Sequence, residues 1–431
     1  MKLVQRDRYL NQVLAFKDKD LIKVVTGIRR CGKSTLLTLV AEKLAQDGVE
    51  AQRIVTLNLE SMQAGIPQDP KSLYRYFEER MDQSVHTYVF IDEVQRVLGW
   101  EEAVNAMRVD FDCDIYLTGS NAYLLSSELA TYLSGRYVEI KMLPLTFREY
   151  LDFKGLTFFD AAGPQSNMAT DGKGFFTLDR LFQDYSQFGG MPFLAAEDID
   201  LETHRSYMAT LYQSVVTRDI LDRERKHAKR TITNPDLLKR LILFLADNIG
   251  SNNSFNSITN ALKAEKLNPA NTTVEAYAAA LVDAYLFYPV SRYDIKGKDH
   301  LKTLSKYYIA DVGLRNYLLG YRNLDQGRTL ENIVYLQLLF NGFEVSIGKI
   351  GPTEIDFIAT RPGKRAYIQV AVTLQNEDTQ NRELRPFKLL DDAYPRYLIV
   401  GEGTYPTDID GIRVVSIIDF LLGRAEGIQA D

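Results

Sequence analysis

Residues 27–34 read GIRRCGKS and match the pattern G-x-x-x-x-G-K-[ST] at every fixed position. In such a loop the backbone N–H groups surround phosphate oxygens, and glycine permits the turn and the close approach at Gly27 and Gly32. Lys33 would reach the β- and γ-phosphates, while the hydroxyl of Ser34 would ligate Mg²⁺. The motif therefore predicts that the chain binds ATP together with Mg²⁺.

The residues on either side of this loop are typical of a strand and a helix. Residues 21–26 (LIKVVT) form a short apolar run, and residues 35–44 have a helical pattern, so the phosphates would lie at a helix N-terminus. Arg29 and Arg30 occupy variable positions; they could steer phosphate, contact a partner subunit or remain solvated. The residues expected to contact the nucleotide are Gly27, Ile28, Arg29, Arg30, Cys31, Gly32, Lys33, Ser34 and Thr35.

Two acidic residues, Asp92 and Glu93, follow a second apolar run at residues 87–91. Asp92 would hold Mg²⁺ through water, and Glu93 would activate the attacking water as a general base. The alternative is a pair of surface acids at the end of a strand. Another strand-like run, at residues 53–59, lies between this motif and the loop, which favours an ATPase over a nucleotide kinase.

Two further positions are candidates for catalysis. A strand-like run at residues 114–118 precedes Ser120 and Asn121, either of which could orient the water beside the γ-phosphate, with Asn121 favoured. Both residue types also suit a turn or a helix N-cap. Arg136 begins the fifth strand and could reach the γ-phosphate of a neighbouring subunit as an arginine finger, or form a surface ion pair.

The order of strand-like and helical segments predicts an α/β fold with four parts. In residues 1–150 the two types alternate, as in a P-loop NTPase with a parallel sheet covered on both faces. Residues 151–232 would form a helical lid and linker, in which the Gly- and Asp-rich stretch 153–174 predicts a flexible insertion. Residues 233–325 show three helices and a hairpin, the winged-helix layout. Residues 326–431 form a second α/β unit.

The charge distribution limits how the chain could bind nucleic acid. The net charge of -6 excludes a polycationic protein, so any DNA contact requires a local basic patch. Such patches occur at residues 218–230 and in the predicted hairpin turn. Charged helices and hairpin tips are also common as solvated faces, and winged helices also bind proteins. The candidate DNA-contacting residues are Arg218, Arg223, Arg225, Lys226, Lys229, Arg230, Lys296 and Lys298.

The remaining composition suggests a cytoplasmic protein that does not bind membranes. Two cysteines, Cys31 and Cys113, do not form a disulfide framework, and with four histidines they show no zinc pattern. The first ten residues, MKLVQRDRYL, lack an apolar signal core, and no run approaches 18 apolar residues.

Several segments extend well beyond the phosphate loop and resemble one family. GIRRCGKSTLL, FIDEVQ, LTGSN and SELATYLSGRYVEIKMLPLTFREY are similar to the AAA-type ATPases of the bacterial and archaeal "ATP-binding protein" group. YYIADVGLRN, LENIVYLQLL, EIDFIA and YIQVAVTL are similar to the C-terminal domain that accompanies this ATPase. The resemblance implies a winged helix, a degenerate restriction-endonuclease-like domain and self-association, with six subunits as the expected ring.

The same resemblance identifies two more candidate sites. Residues 190–192 are similar to a lid element that touches the nucleotide in related switch ATPases, so Pro192 could contact the adenine side; the alternative is a simple turn. In the PD-(D/E)XK core of nucleases, Glu331 and Asp356 would be in place, but Gln369 and Ala371 replace the second acid and the lysine. A structural or DNA-docking domain is therefore expected, with Lys364 as another possible source of a cation.

Two functions of different classes follow from these features. The first is an oligomeric ATPase that acts on DNA by translocation, remodelling or branch processing. The alternative is a nucleotide-controlled switch that regulates assembly with a protein partner. An active nuclease is the least favoured possibility, because the site has lost an acid and its lysine.

Overall fold

The computed structural model describes residues 4–62, 65–120, 135–159, 166–196, 199–222, 232–265, 267–321 and 325–430. The chain divides into two compact units. The first comprises Met1–Leu143 and Asp283–Tyr285, and the second comprises Pro144–Val282 and Leu286–Asp431. None of the helices in the described ranges combines the length and apolar character that a bilayer crossing requires.

The first unit alternates strands and helices, as the sequence predicts. Its elements are α1 Asp7–Leu14, β1 Ile22–Thr26, α2 Lys33–Gln46, β2 Ile54–Asn58, α3 Pro70–Glu78, β3 Thr87–Asp92, α4 Trp100–Asp110, β4 Cys113–Gly119 and β5 Tyr137–Lys141. The strands form one parallel sheet in the order β2-β3-β4-β1-β5. Every residue of β1 and β3 is buried, because helices cover both faces of the central strands. The predicted P-loop α/β fold is confirmed.

The strand order shows how the phosphate loop after β1 lies relative to the acidic motif after β3. β4, not the sequence-intervening β2, lies between β1 and β3. β2 occupies the edge and pairs with β3 from Ile54 to Asn58. The carboxyl ends of β2, β3 and β4 therefore lie side by side at one edge of the sheet, next to the loop that follows β1.

The second unit begins with helices and a small antiparallel sheet. Its first elements are α5 Phe147–Phe153, β6 Thr157–Phe158, β7 Met168–Thr170, β8 Phe175–Thr177, α6 Leu178–Phe188, α7 Pro192–Ala196 and α8 Leu201–Ser214, which continues as π-helical turns over Val215–Asp222. The prediction of a flexible insertion over residues 153–174 is wrong for the residues of β6 and β7. The side chain of Asp171 accepts hydrogen bonds from the backbone N–H groups of Lys173 and Gly174, at 2.8 and 2.7 Å, and so fixes the hairpin turn.

The rest of the second unit contains the predicted three helices and hairpin, followed by an α/β segment. The elements are α9 Pro235–Asp247, α10 Phe255–Ala264, α11 Asn271–Asp283, β9 Phe287–Asp294, β10 Asp299–Ile309, α12 Val312–Leu319, α13 Gln326–Phe340, β11 Glu344–Ile350, β12 Thr353–Arg361, β13 Lys364–Thr373, α14 Glu377–Leu384, β14 Arg396–Glu402, β15 Asp408–Ile409, β16 Ile412–Ser416 and α15 Ile417–Leu421.

The hairpin of β9 and β10 is part of a larger sheet. Eight strands are joined in the order β10-β9-β11-β12-β13-β14-β16-β15, and β9 pairs in parallel with β11. The buried ring of Tyr308 on β10 stacks on Tyr335 of α13, with ring centroids 4.4 Å apart, and lies 5.6 Å from Phe357 of β12. Aromatic packing thus ties the hairpin to the C-terminal strands and to the helix that covers them.

Candidate nucleotide site

Two glycines shape the loop at residues 27–34. Gly27 and Gly32 have φ angles of 140° and 105°, which L-residues rarely adopt. A Cβ atom on Gly27 would lie 2.1 Å from the carbonyl oxygen of Met142, which follows β5. The loop then leads into α2, whose first residue is Lys33, so that the N-terminus of a 14-residue helix is directed at the loop.

We expect Gly27→Ala to abolish nucleotide binding and to lower the free energy of unfolding by about 1–3 kcal/mol, because the new methyl group must displace the Met142 carbonyl. Binding of a fluorescent ATP analogue and urea denaturation measure the two effects. Gly48→Ala is the matched control, since Gly48 also has a positive φ but has no atom within 4 Å of an added Cβ. Equal binding by the two variants would contradict the steric explanation.

The ammonium group of Lys33 lies inside the loop. Its Nζ atom donates hydrogen bonds to the carbonyl oxygens of Gly27 and Ile28, both at 3.0 Å, and the residue is only 4% exposed. The ammonium is thereby held where phosphate oxygens would enter the loop. On nucleotide binding it can donate to a charged phosphate oxygen in place of a neutral carbonyl oxygen. Such charge-assisted hydrogen bonds are about twice as strong as neutral ones.

The other loop side chains differ in their surroundings. Ile28 and Cys31 are fully buried, so only their backbone atoms can face a phosphate. Arg29 donates to Glu60 Oε1 at 2.8 Å, whereas Arg30 is exposed and has a φ of 65°. Thr35, in the first turn of α2, is exposed.

The carboxylate of Asp92 is the meeting point of four elements. Ser34 Oγ donates to Asp92 Oδ1 at 3.0 Å, and Asn58 Nδ2 donates to Asp92 Oδ2 at 3.1 Å. Thr118 Oγ1 donates to the same Oδ1 atom. The hydroxyl of Ser34 and the carboxylate of Asp92 are hard oxygen donors of the kind that Mg²⁺ prefers, so these residues fit the metal that the motif implies.

Glu93 is held in an unusual conformation beside Asp92. Its φ and ψ angles are 55° and 47°, and its backbone N–H donates to Thr118 Oγ1 at 2.9 Å. Its carboxylate Oε2 accepts a hydrogen bond from Ser120 Oγ at 3.2 Å and another from Gln95 Nε2. Non-glycine residues in the left-handed conformation are concentrated at functional sites. In this conformation Glu93 is buried, with 8% of the residue exposed.

Sequence reasoning missed three residues of this site: Asn58, Thr118 and Gln95. Asn58 is the last residue of β2, and Thr118 is one residue before the end of β4. Polar residues at the carboxyl ends of parallel strands were a usable signal, because ligands bind at that edge. Gln95 had no such signal; only the turn after Glu93 places its amide on the carboxylate.

Two family models and two curated relatives match this chain. Residues 19–151 match a family model described as an AAA domain, and residues 179–325 match a model described as a domain of unknown function. A Haemophilus influenzae protein named "Uncharacterized protein" is 39% identical over 421 residues, which span 97% of this chain and 99% of that one. The chain belongs to the family of this protein. A Methanocaldococcus jannaschii protein is 27% identical over 398 residues, covering 90% and 83% of the two chains.

The solved structures that resemble this chain are less similar to it in sequence. A Walker-type ATPase of Pyrococcus abyssi has a TM-score of 0.46 and 13% identity, and covers 73% of this chain and 96% of its own. The Aeropyrum pernix ORC1 protein in complex with DNA has a TM-score of 0.30 and 14% identity, with coverages of 74% and 93%. Thermotoga maritima RuvB has a TM-score of 0.30 and 16% identity, with coverages of 66% and 90%.

The structure separates Arg136 from the phosphate loop of its own AAA domain. Arg136 precedes Tyr137, which pairs with Ile22 at the start of β1, whereas the loop follows Thr26 about 13 Å further along the strand. The exposed guanidinium donates to Asn105 Oδ1 at 3.1 Å. Asn121 lies outside the described residues.

Pro192, in the second unit, follows a segment that is anchored by a buried carboxylate. Asp311 accepts a hydrogen bond from the backbone N–H of Gly190 at 2.7 Å and caps α12 through the N–H of Leu314 at 2.9 Å. Burial raises the pKa of Asp311 to about 6. The backbone of Gly190 is therefore tied to the start of α12.

The predicted nuclease-like residues lie close together in the C-terminal sheet. The backbone N–H of Asp356 donates to Gln369 Oε1 at 2.9 Å, and Gln369 Nε2 donates to Glu383 Oε2 at 3.0 Å. Loss of hydration, together with the charge of Glu331 on α13, raises the pKa of Asp356 well above its usual value. Both ends of the Gln369 amide are engaged by protein groups.

The predicted DNA-contacting residues fall into two groups. Lys296 and Lys298 are exposed in the turn between β9 and β10, where Asp294 Oδ1 accepts the N–H groups of Lys296 and Gly297, both at 3.1 Å. Outside the described part of the chain lie the side chain of Arg218 and the whole of Arg223, Arg225, Lys226, Lys229 and Arg230.

Proposed function

We propose that this protein binds ATP and hydrolyses it to ADP and phosphate in its AAA domain. The observation that carries the proposal is the convergence of Ser34, Asp92 and Glu93. The Ser34 hydroxyl lies 3.0 Å from the Asp92 carboxylate, and Glu93 is held next to it by Ser120 and Gln95. The N-terminus of α2, the ammonium of Lys33, the Ser34–Asp92 pair and the Glu93 carboxylate lie at one edge of the sheet, and this arrangement supports the proposal.

Each of these groups has a role in phosphoryl transfer. The N–H groups of residues 27–35 and the ammonium of Lys33 hold the phosphates, and Ser34 and Asp92 hold Mg²⁺. When bound, Mg²⁺ neutralises charge that develops on the β- and γ-phosphate oxygens. Glu93 takes the proton of the attacking water. Asn58 and Thr118 orient the Asp92 carboxylate by donating hydrogen bonds to it.

We further propose that the active form is a homo-oligomer, with a ring of six as the expected assembly. Arg136 supports this, because it lies at the sheet edge opposite its own phosphate loop and is exposed. In the proposed assembly, Arg136 acts on the γ-phosphate of a neighbouring subunit as an arginine finger. Asn121 is proposed to orient the attacking water, and Pro192 to contact the nucleotide from the lid.

Finally, we propose that ATP hydrolysis drives work on DNA through the winged helix and the nuclease-like domain. The exposed pair Lys296 and Lys298 at the hairpin tip supports this, since hairpin cations can contact phosphate without reading sequence. The region of residues 218–230 would add to the same electrostatic contact.

We expect duplex or branched DNA to stimulate ATP turnover, and the stimulation to weaken as salt rises. Lys296→Ala with Lys298→Ala should reduce the dependence of log affinity on log salt by about 2, roughly one unit per lost phosphate contact. A DNA-binding titration at several salt concentrations, with phosphate release followed in parallel, measures both effects.

Lys388→Ala removes an exposed lysine elsewhere in the second unit and should leave the slope unchanged. Turnover that is indifferent to every nucleic acid would overturn the DNA proposal. It would favour the nucleotide-controlled switch, in which ATP binding alters assembly with a protein partner.

A further inference from the structure

A buried lysine lies among the acids of the C-terminal sheet. Lys306, on β10, is 4% exposed, and its Nζ atom lies 3.0 Å from Glu331 Oε1 and 2.7 Å from Glu354 Oε1. The hydroxyl of Tyr308 also donates to Glu331 Oε1, at 2.6 Å. Asp356 adds a third carboxyl group whose charge acts on the same ammonium. We name Lys306, Glu331, Glu354 and Asp356 the β10 acid cluster.

The charges of this cluster hold the lysine in its cationic form. Burial alone would lower the pKa of Lys306, but the charges of Glu331, Asp356 and Glu354 raise it above its ordinary value. Contacts of 2.7 and 3.0 Å are those of charge-assisted hydrogen bonds. Two of the three ammonium donors are therefore directed at carboxylates, one from α13 and one from β12.

Protein donors also occupy other oxygens of the cluster. Asn252 Nδ2 donates to Glu354 Oε2 at 2.8 Å, and the N–H of Val370 donates to Asp356 Oδ2 at 2.9 Å. Across the described ranges, three or more Asp, Glu, His or Cys side chains are nowhere grouped to hold a metal ion. The acids instead surround an ammonium group.

Neither of the two other positions from which a lysine could reach these acids supplies the positive charge. Ala371 stands where the D/E-x-K pattern would place it. Lys364 is the first residue of β13 and lies five residues before Gln369, about 16 Å along the strand and on the opposite face. Lys306 comes from the hairpin, a part of the chain that precedes the nuclease-like pattern altogether.

We propose that the ammonium of Lys306 occupies the cation position of the β10 acid cluster, so that the C-terminal domain carries a built-in cation in place of a divalent metal. The ion pairs then join the hairpin to α13 and β12 as a structural element. Without the lysine, the Glu331 and Glu354 oxygens that now contact the ammonium would lose their cation, and carboxylate oxygens are hard ligands that Mg²⁺ and Mn²⁺ bind. Removing one charge from a buried pair also leaves its partners uncompensated.

The test measures Mn²⁺ binding to the full-length protein without nucleotide, using the electron paramagnetic resonance signal of free Mn²⁺. The wild-type protein should have no Mn²⁺ site that is lost in the Asp356→Asn variant. Lys306→Ala should gain one site per chain that wild type lacks, and adding Glu354→Gln, which removes a carboxylate that contacts the ammonium, should abolish it. The midpoint of thermal unfolding of Lys306→Ala should be lower than that of wild type, and adding Mn²⁺ should restore it. The control Lys364→Ala should resemble wild type in both measurements.

Two results would overturn the proposal. One is wild-type Mn²⁺ binding that disappears in Asp356→Asn, which would make the metal the natural occupant. The other is a folded Lys306→Ala protein with an unchanged thermal midpoint and no new site. If Lys306→Ala does not fold, the comparison of wild type with Asp356→Asn decides alone. The measurements involve no nucleotide, so they are independent of the proposed ATPase activity.

Discussion

Glu93→Gln is expected to bind ATP as tightly as wild type and to hydrolyse it about 10²- to 10⁴-fold more slowly, the usual contribution of a general base. The amide oxygen of the new side chain can still accept hydrogen bonds from Ser120 and Gln95, which hold Oε2 of the native carboxylate. The site geometry should therefore persist while the group that accepts the proton is lost. Phosphate release and the affinity for a fluorescent ATP analogue, measured on one preparation, separate the two effects.

The control for this variant is Glu102→Gln, which changes an exposed acid on α4 in the same way. It should leave both affinity and turnover unchanged. Hydrolysis by Glu93→Gln at the wild-type rate would show that another group activates the water, and the role assigned to Glu93 would be wrong.

Lys33→Ala should lose ATP binding. The ammonium would make charge-assisted hydrogen bonds to two phosphates, each worth about 1.5–3 kcal/mol, so the affinity should fall by about 10²- to 10⁴-fold or more. The variant should still fold, because the native hydrogen bonds that it loses are the two to the carbonyls of Gly27 and Ile28. Titration calorimetry with a slowly hydrolysed ATP analogue measures the affinity, and urea denaturation checks the fold.

A second lysine of the same helix serves as the control. Lys43 pairs with Asp47 at 2.7 Å on the exposed side of α2. Such surface pairs contribute about 0–1 kcal/mol, so Lys43→Ala should bind ATP normally and unfold almost like wild type. If Lys33→Ala binds ATP as well as Lys43→Ala does, the loop does not hold the phosphates in the proposed way.

Local patterns predicted most of the elements of the molecule. The run at residues 21–26 became β1, and the run ending at Asp92 became β3, because both are continuously apolar strands buried on two faces. The three helices and the hairpin before residue 310 were also predicted. The small sheet over β6 to β8 was not, because short strands with little apolar alternation are stabilised by pairing with each other.

Contacts between distant residues could not be predicted in this way. Asn58 and Thr118 meet on Asp92 only because β2 and β4 flank β3 in the sheet. Glu383, which accepts a hydrogen bond from the Gln369 amide, lies on α14. No sequence motif fixes the spacing between these two residues. The role of Lys306 could not be predicted for the same reason. Lys306 lies 25 residues before Glu331, in a hairpin that the sequence predicts to be a wing.

The amino-acid sequence alone determined the phosphate loop, the acidic pair and the parallel α/β core. In these features the chemistry requires given residue types at fixed short spacings, and a buried strand requires an apolar run. The tertiary structure alone decided which polar residues orient Asp92 and Glu93, which sheet the hairpin joins and which cation lies among the C-terminal acids. Strand order and packing bring those groups together across long stretches of chain, and no local pattern records that proximity.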